Sequence, residues 1–253
     1  MNKPNLYHRA NGLQRRDAEE ILDEFGHLLK WREDGKDSLL DVGSGCGDVL
    51  VDFVIPLIPQ NFVIILGTDI SEQMVRFARK IYSGRKNVSF DRLDIGGDVQ
   101  HIAFANIFNL LRAEGDCLLT FLARNPIFDI YYQLSKTDKW KKYMSDVDRF
   151  ISPYQYCENP SEEIGKILSS VGFNKYKIQI MDRIYEYKGI DSLKPVLAVN
   201  PFCERMPLDL QEDFMDDYID IVRKMAYHKN GHEDANDYKF ITPYKLVIVY
   251  ASK

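Results

Sequence analysis

The alternation of apolar and polar positions predicts an α/β chain: short apolar runs are separated by segments of helical period. Residues 14–31 predict a first helix, with Ala18, Ile21, Leu22, Phe25, Leu28 and Leu29 on one stripe. A charged turn at 31–37 leads into a short buried strand at 39–42, and 49–58 is an apolar segment able to form a helix. Residues 62–67 and 88–93 predict a second and a third strand, each running into an acid. Between these two strands Ser71 predicts the cap of a helix that carries Met74, Ala78 and Ile81 on one face. Residues 101–111 predict another helix, and 116–122 a strand entered through the turn 113–115.

The strand count then falls short. A doubly wound sheet needs a helix, a fourth strand, another helix and a fifth strand after the third. Only 20 residues, 96 to 115, lie between Ile95 and Asp116. A crossover with its strand takes about 30 residues, so one central strand and one helix or loop are missing. In this topology the absent strand lies beside the first one, at the switch point where ligand binds.

Beyond residue 124 the pattern changes to an aromatic-rich helical segment, 127–144, read as a cap, and then an extended stretch at 150–154. Asn159-Pro160-Ser161-Glu162 resembles a capping box with proline in the first turn, for a helix that Gly172 ends. A strand at 176–187, a short helix at 191–199, a helix at 208–227 and a polar loop at 228–237 follow. The last strand, 244–250, is expected to pair antiparallel with 176–187. The expected organisation is one domain, 1–253, with its core in 1–124. Cap insertions are expected at 125–172 and 190–237, and closing strands at 173–189 and 238–253.

Candidate chemistry gathers at Asp41-Val42-Gly43-Ser44-Gly45-Cys46-Gly47-Asp48. A strand, a glycine turn and a helix start together make a nucleotide-cofactor cradle. Glycines permit positive φ and let a ligand approach the backbone. A dinucleotide fingerprint wants its third glycine where Asp48 stands. A pyrophosphate is repelled by the carboxylate of Asp41, whereas a cationic ligand such as the sulfonium and ammonium of S-adenosylmethionine is attracted to it. The D-x-G-x-G-x-G order resembles motif I of the class I methyltransferases. Asp69 falls where such folds grip the ribose hydroxyls, and Asp94 where they accept the adenine amino group, with Ile70 and Ile95 beside them. Each acid alone also reads as a solvated turn acid; three at the ends of neighbouring strands are less easily chance.

Charge and composition narrow the partners. The chain has 253 residues, 45% of them hydrophobic, and a net charge of −5. The acidic balance argues against nucleic acid as a main partner. Cys46, Cys117, Cys157 and Cys203 form no C-x-x-C pair and read as reduced thiols, which points to a cytoplasmic protein. Neither a signal-peptide pattern nor a run of membrane-spanning length is expected. His228 and His232 stand four apart, but the intervening Asn230-Gly231 disfavours a helix, so no metal site is read there.

Several segments together resemble the insect juvenile hormone acid methyltransferases. They are Leu6-Tyr7, Asn11 to Ala18, Asp69-Ile70-Ser71-Glu72-Gln73-Met74-Val75, Gly115 to Leu119, Pro126 to Asp129, Asp148 to Tyr154, Asn200-Pro201-Phe202 and Tyr244-Lys245-Leu246. The resemblance implies a doubly wound Rossmann-like methyltransferase sheet with a helical cap, short of one central strand. It implies S-adenosylmethionine as cofactor, held by Asp41, Gly43, Ser44, Gly45, Asp69, Ile70, Asp94 and Ile95. The acceptor is then a small apolar carboxylic acid, farnesoic acid or its epoxide, whose carboxylate is methylated. Such an acid is already ionised near neutral pH and needs no general base. Gln14 matches the glutamine that the family places on the acceptor carboxylate. The family's tryptophan, in a Leu-His-Trp segment after strand 4, has no counterpart, since neither Trp31 nor Trp140 matches it. Tyr7, Phe128, Tyr131, Tyr132, Phe150 and Tyr154 are candidates for the apolar pocket, though taken singly most such aromatics belong more readily to a core. The gap leaves a second reading, an internally deleted chain that binds cofactor without turnover or does not fold productively. Monomer and homodimer are both open.

Overall fold

The computed structural model describes residues 3–59, 64–96, 100–189, 192–193, 200–225, 228–229 and 239–253. The chain divides into two compact units, one of 1–118, 166–177 and 250–253, the other of 119–165 and 178–249. The division cuts through secondary-structure elements; it does not fall at the 124/125 boundary drawn from sequence.

The first unit opens with two helices. Helix α1, Pro4–Ala10, has proline in its first turn and buries none of its residues. Helix α2, Gly12–Phe25, buries Leu13, Asp17, Ile21 and Phe25, one face at four-residue spacing. It ends sooner than the stripe predicts, because Gly26 caps it and Gly26–Leu28 turns as a 3-10 helix.

Strands β1, Ser38–Val42, β2, Ile64–Asp69, and β3, Val88–Arg92, form a parallel sheet in the order β1-β2-β3. Its register sets Asp41 against Gly67, and Asp69 against Arg92. Residues 60–63, the expected start of β2, lie outside the described residues. Between β2 and β3, helix α3, Glu72–Ile81, starts at Ser71, whose side chain accepts from Met74 N–H as predicted. Leu50, Ile65, Val75, Ala78 and Phe90 make the core between helices and sheet.

Two expectations here are corrected. The segment 49–58 is not a regular α-helix. Leu50–Val54 is a π-turn and Ile55–Leu57 a 3-10 turn, since Pro56 donates no hydrogen bond and its ring crowds the preceding turn. Strand β1 is not a buried strand: Leu40 and Val42 are each 37% exposed. It is the outermost strand of its sheet, with nothing paired on its far side among the described residues.

The missing-strand count has its structural counterpart. After β3 a single helix, α4, Gln100–Leu110, leads directly to β4, Asp116–Arg124. The strands then fall into two sheets. The second has the order β4-β7-β5, with β5 at Lys175–Lys188 and β7 at Lys239–Ser252. The last strand does pair with the strand expected at 176–187, and it also lies against β4.

In the second unit, helix α5, Pro126–Ser135, is capped by Asn125, and α7, Leu208–Lys224, buries Phe214, Tyr218, Ile219 and Val222. Their core takes in Tyr131, Trp140 and Phe202. Trp140 Nε1 also donates to Asp217 at 2.8 Å. Helix α6, Pro160–Val171, carries the predicted box: Asn159 accepts from Glu162 N–H at 3.3 Å and donates to its carboxylate at 3.2 Å. Gly172, at φ 113°, closes it, with Phe173 N–H reaching back to the Leu168 carbonyl.

Residues 150–154 are not extended. Val147–Phe150 is a 3-10 turn, and Ser152 then ties a tight turn by accepting from Tyr154 N–H and Gln155 N–H. Strand β6, His228–Lys229, pairs antiparallel with β7 where a loop was expected. The rest of that loop, and the helix expected at 191–199 apart from Ser192 and Leu193, lie outside the described residues. Among the described residues no helix is long and apolar enough to cross a membrane.

Candidate functional site

The parallel sheet brings Asp41 and Asp69 to the same edge, each at a strand's C-terminal end, with the glycine turn between them. Gly43, Gly45 and Gly47 have φ of 79°, 56° and 85°, the left-handed region their lack of a side chain permits. Gly43 N–H and Ser44 N–H both donate to the Thr68 carbonyl at 2.8 Å. Gly45 N–H donates to Asp69 Oδ2 at 3.0 Å, and Ser71 N–H to Asp69 Oδ1 at 2.8 Å. Asp69 therefore fastens the glycine turn to the start of α3 through its own carboxylate.

The three glycines serve different neighbours. A Cβ on Gly43 would meet nothing within 4 Å, so its backbone is open to a ligand. A Cβ on Gly45 would stand 3.3 Å from the Tyr7 ring, which covers the turn. Gly47 does not open a ligand face as the motif suggested. A Cβ there would lie 2.8 Å from the Phe90 ring and 3.0 Å from Tyr82, so this glycine makes room for core.

Asp41 is electrostatically unfinished. Its Oδ2 is buried and has no hydrogen-bond partner among the described residues. Burial, and then the neighbouring Asp69, push its carboxyl up to about 6. A buried acceptor of this kind fits a positively charged or N–H-bearing group, which would supply the missing bond and draw the pKa down. The Asp41–Asp69 pair thus fits the ammonium of S-adenosylmethionine, and the open Gly43 fits its close approach.

Asp48, which stands where a dinucleotide fingerprint has glycine, organises the N-terminal helices. It is only 2% exposed, and its Oδ2 accepts from Asn11 Nδ2 and Arg15 Nη1, both at 2.8 Å. Its Oδ1 accepts from the Cys46 thiol at 3.0 Å, and His8 Nδ1 lies 3.6 Å from Oδ2. Burial pushes the Asp48 carboxyl up, but the bonds from Cys46, Arg15 and Asn11 outweigh it and hold the group low. Burial first, then the Asp48 bond, pushes the Cys46 thiol up to about 12. Arg15 also pairs with Asp52 at 2.9 Å and lies over the Phe53 ring. Burial, followed by Cys46, Asp48 and Asp69, raises the Tyr7 hydroxyl. The sequence gives no local signal for this anchor, because Asn11 and Arg15 lie more than thirty residues before Asp48, at the start of α2.

Gln14 stands exposed on the first turn of α2, between the two residues that hold Asp48. Ser44 is buried at the turn. Asp94, two residues beyond β3, is exposed, and its Oδ1 accepts from Gly96 N–H at 3.2 Å. Ile70 is exposed, and its carbonyl accepts from Arg92 Nε. The Ile95 carbonyl accepts from Asn106 at 2.7 Å.

Of the aromatic candidates Tyr7 belongs to the first unit, and the other five, in the second, divide three ways. Tyr131 is core, its ring edge-on to Phe202 at 5.2 Å. Phe128 and Phe150 pack partly buried against that core. Tyr132 is exposed beneath Lys136, and Tyr154 is buried with its hydroxyl unpartnered among the described residues.

No protein-family model matches the chain. It is 46% identical to the juvenile hormone acid O-methyltransferase of Drosophila melanogaster, over all of this chain and 93% of that protein. It is 41% identical to the juvenile hormone acid O-methyltransferase of Bombyx mori, over all of this chain and 98% of that one. These alignments run over 278 and 277 positions against 253 residues here, so each relative carries at least two dozen residues that this chain lacks. Among solved structures, the YcgJ protein from Bacillus subtilis superposes with a TM-score of 0.52 at 16% identity, covering 97% of this chain and 98% of that one. A phosphoethanolamine N-methyltransferase 2 from Haemonchus contortus gives a TM-score of 0.51 at 14% identity, over 94% of this chain and 53% of that one. These similarities show a methyltransferase fold, and the full-length identities show that the chain belongs to the juvenile hormone acid O-methyltransferase family.

Proposed function

We propose that this protein methylates the carboxylate of a small apolar acid, farnesoic acid or juvenile hormone acid, with S-adenosylmethionine as donor. The cofactor supplies an electrophilic methyl group on a sulfonium. Asp41 takes its ammonium, the backbone at Gly43 lets it approach closely, Asp69 accepts from its ribose hydroxyls, and Asp94 accepts from its adenine amino group. Ser44, Gly45, Ile70 and Ile95 complete the wall, and Tyr7 covers the turn. The acceptor acid has a pKa near about 4 and is ionised at neutral pH. No residue has to remove a proton, so the chain's work is to hold, orient and exclude water. Gln14 donates its amide N–H to one carboxylate oxygen and leaves the other free to react. Free cysteines support a reducing, cytoplasmic setting.

The observation that carries this reading is the buried, unpartnered oxygen of Asp41 beside Asp69. The test is incubation with labelled S-adenosylmethionine and farnesoic acid. Methyl ester is expected, and Gln14→Ala is expected to lower kcat/KM by roughly a hundredfold. Tight cofactor binding with no ester above background would overturn the enzymatic reading in favour of a binding protein.

A further inference from the structure

Cys46, Asp48 and His8 form a second constellation at the glycine turn. Cys46 and Asp48 are buried, whereas His8 stands exposed on α1. His8 Nδ1 lies 3.7 Å from Cys46 Sγ and 3.6 Å from Asp48 Oδ2, and Cys46 Sγ lies 3.0 Å from Asp48 Oδ1. One ligand atom from each residue falls within 4.8 Å of the others. A tetrahedral zinc bonds sulfur at about 2.3 Å and nitrogen or oxygen at about 2.0–2.2 Å, which sets its ligand atoms roughly 3.3–3.6 Å apart. Cys46 Sγ stands near that spacing from His8 Nδ1, and Asp48 turns Oδ1 to Cys46 and Oδ2 to His8, so completing one three-atom set takes a small turn of the exposed His8 side chain.

We propose that His8, Cys46 and Asp48 are a binding site for a thiophilic divalent cation, zinc foremost, which clamps α1 to the glycine turn. Thiolate, imidazole and carboxylate give three protein ligands and leave the fourth position to water. The Cys46 thiol donates to Asp48 Oδ1. When the metal takes the sulfur, that proton passes to solvent and Oδ1 becomes available as a ligand. Asn11 and Arg15 keep their bonds to Oδ2, the outer support that a ligating carboxylate ordinarily has. The two ligand charges neutralise the ion, and Asp52 neutralises the Arg15 guanidinium beside it. An entry path exists because His8 itself is exposed to solvent.

The clamp follows from connectivity. His8 is next to Tyr7, whose ring covers Gly45. Metal bonds from α1 to both Cys46 and Asp48 fix that cover in place, so ligand exchange at the glycine turn slows. The site stands on its own geometry, and only this consequence rests on the proposed cofactor reading.

The test is titration calorimetry of the full chain with zinc chloride alone, beside Cys46→Ser, His8→Ala and the control Cys117→Ser. One ion per chain is expected for wild type and Cys117→Ser, with binding at least about tenfold weaker in the two ligand variants. Cadmium is expected to give an ultraviolet thiolate charge-transfer band in wild type that is absent from Cys46→Ser. Circular dichroism checks that each variant is folded, and exposed His8 keeps the question answerable if the buried Cys46 variant is not. Zinc bound equally well by His8→Ala and Cys46→Ser, or no zinc bound by wild type, would overturn the site. Stopped-flow cofactor association at least about tenfold slower with zinc bound supports the clamp, and an unchanged rate overturns it.

Discussion

Asp41 sets stability against binding. Its carboxyl ionises at about 6 in the folded chain against 3.8 ordinarily, because burial and Asp69 disfavour the charge. Folding therefore takes up a proton between those values. The stability this group contributes is present below about 3.8 and lost as pH rises through about 6. At about 1.36 kcal/mol per unit the charge costs the cofactor-free protein up to about 3 kcal/mol near pH 7. Asp41→Asn is expected to raise the Tm of the free protein at pH 7.5 and to weaken S-adenosylmethionine binding, as read by melting and calorimetry on the same sample. Wild-type affinity is expected to fall as pH drops through 6, with the pH dependence lost in the variant. A variant that melts lower and binds equally well would remove Asp41 from the cofactor site. Asp48 is the complementary case, an acid already satisfied. Asp48→Ala strands Asn11 and Arg15 and is expected to cost about 2–3 kcal/mol, with cofactor KM rising more than kcat falls.

At the scale of elements, packing around Phe90 and the helix caps make the sharpest predictions. A side chain on Gly67 would sit 2.7 Å from the Phe90 ring and 2.9 Å from Ser44 Oγ. Gly67→Ala is therefore expected to destabilise by about 1–3 kcal/mol through overpacking. The double variant Gly67→Ala/Phe90→Leu is expected to recover part of that loss in urea unfolding. Asn159→Ala removes a cap hydrogen bond from α6 and is expected to cost about 1 kcal/mol. Element type was legible wherever a local cap or stop acts: Ser71, the Asn159 box and Gly172 all do what their chemistry predicts. It was illegible where distant contacts decide. Tyr131 read as pocket candidate or as core, and only its packing in the α5–α7 core, edge-on to Phe202, made it core.

For the molecule as a whole, the break between two sheets is the principal feature. The relatives carry about as many extra residues in all as the missing strand and its connection would take, and β1 leaves Leu40 and Val42 open at the end of a three-stranded sheet. Open apolar strand residues weaken a sheet and invite association. On the proposed reading, S-adenosylmethionine bound at the glycine turn would tie β1, β2 and α3 together. At a hundredfold excess over Kd it is expected to stabilise by about 2.7 kcal/mol, which is about 5–10 °C in Tm for a chain of this size. An unshifted melting curve would show that this ligand does not bind the folded chain.

By itself the sequence determined the strand–glycine turn–helix start, the acids at its edge and the shortage of one strand. These follow from backbone permissions, side-chain period and chain length, all of which are local or countable. Tertiary structure alone decided that Gly47 yields to Phe90, that Asp48 gathers Asn11, Arg15 and Cys46, and that Asp41 keeps an oxygen without a partner. Those outcomes depend on which atoms meet across tens of residues of chain, and no spacing rule carries that information.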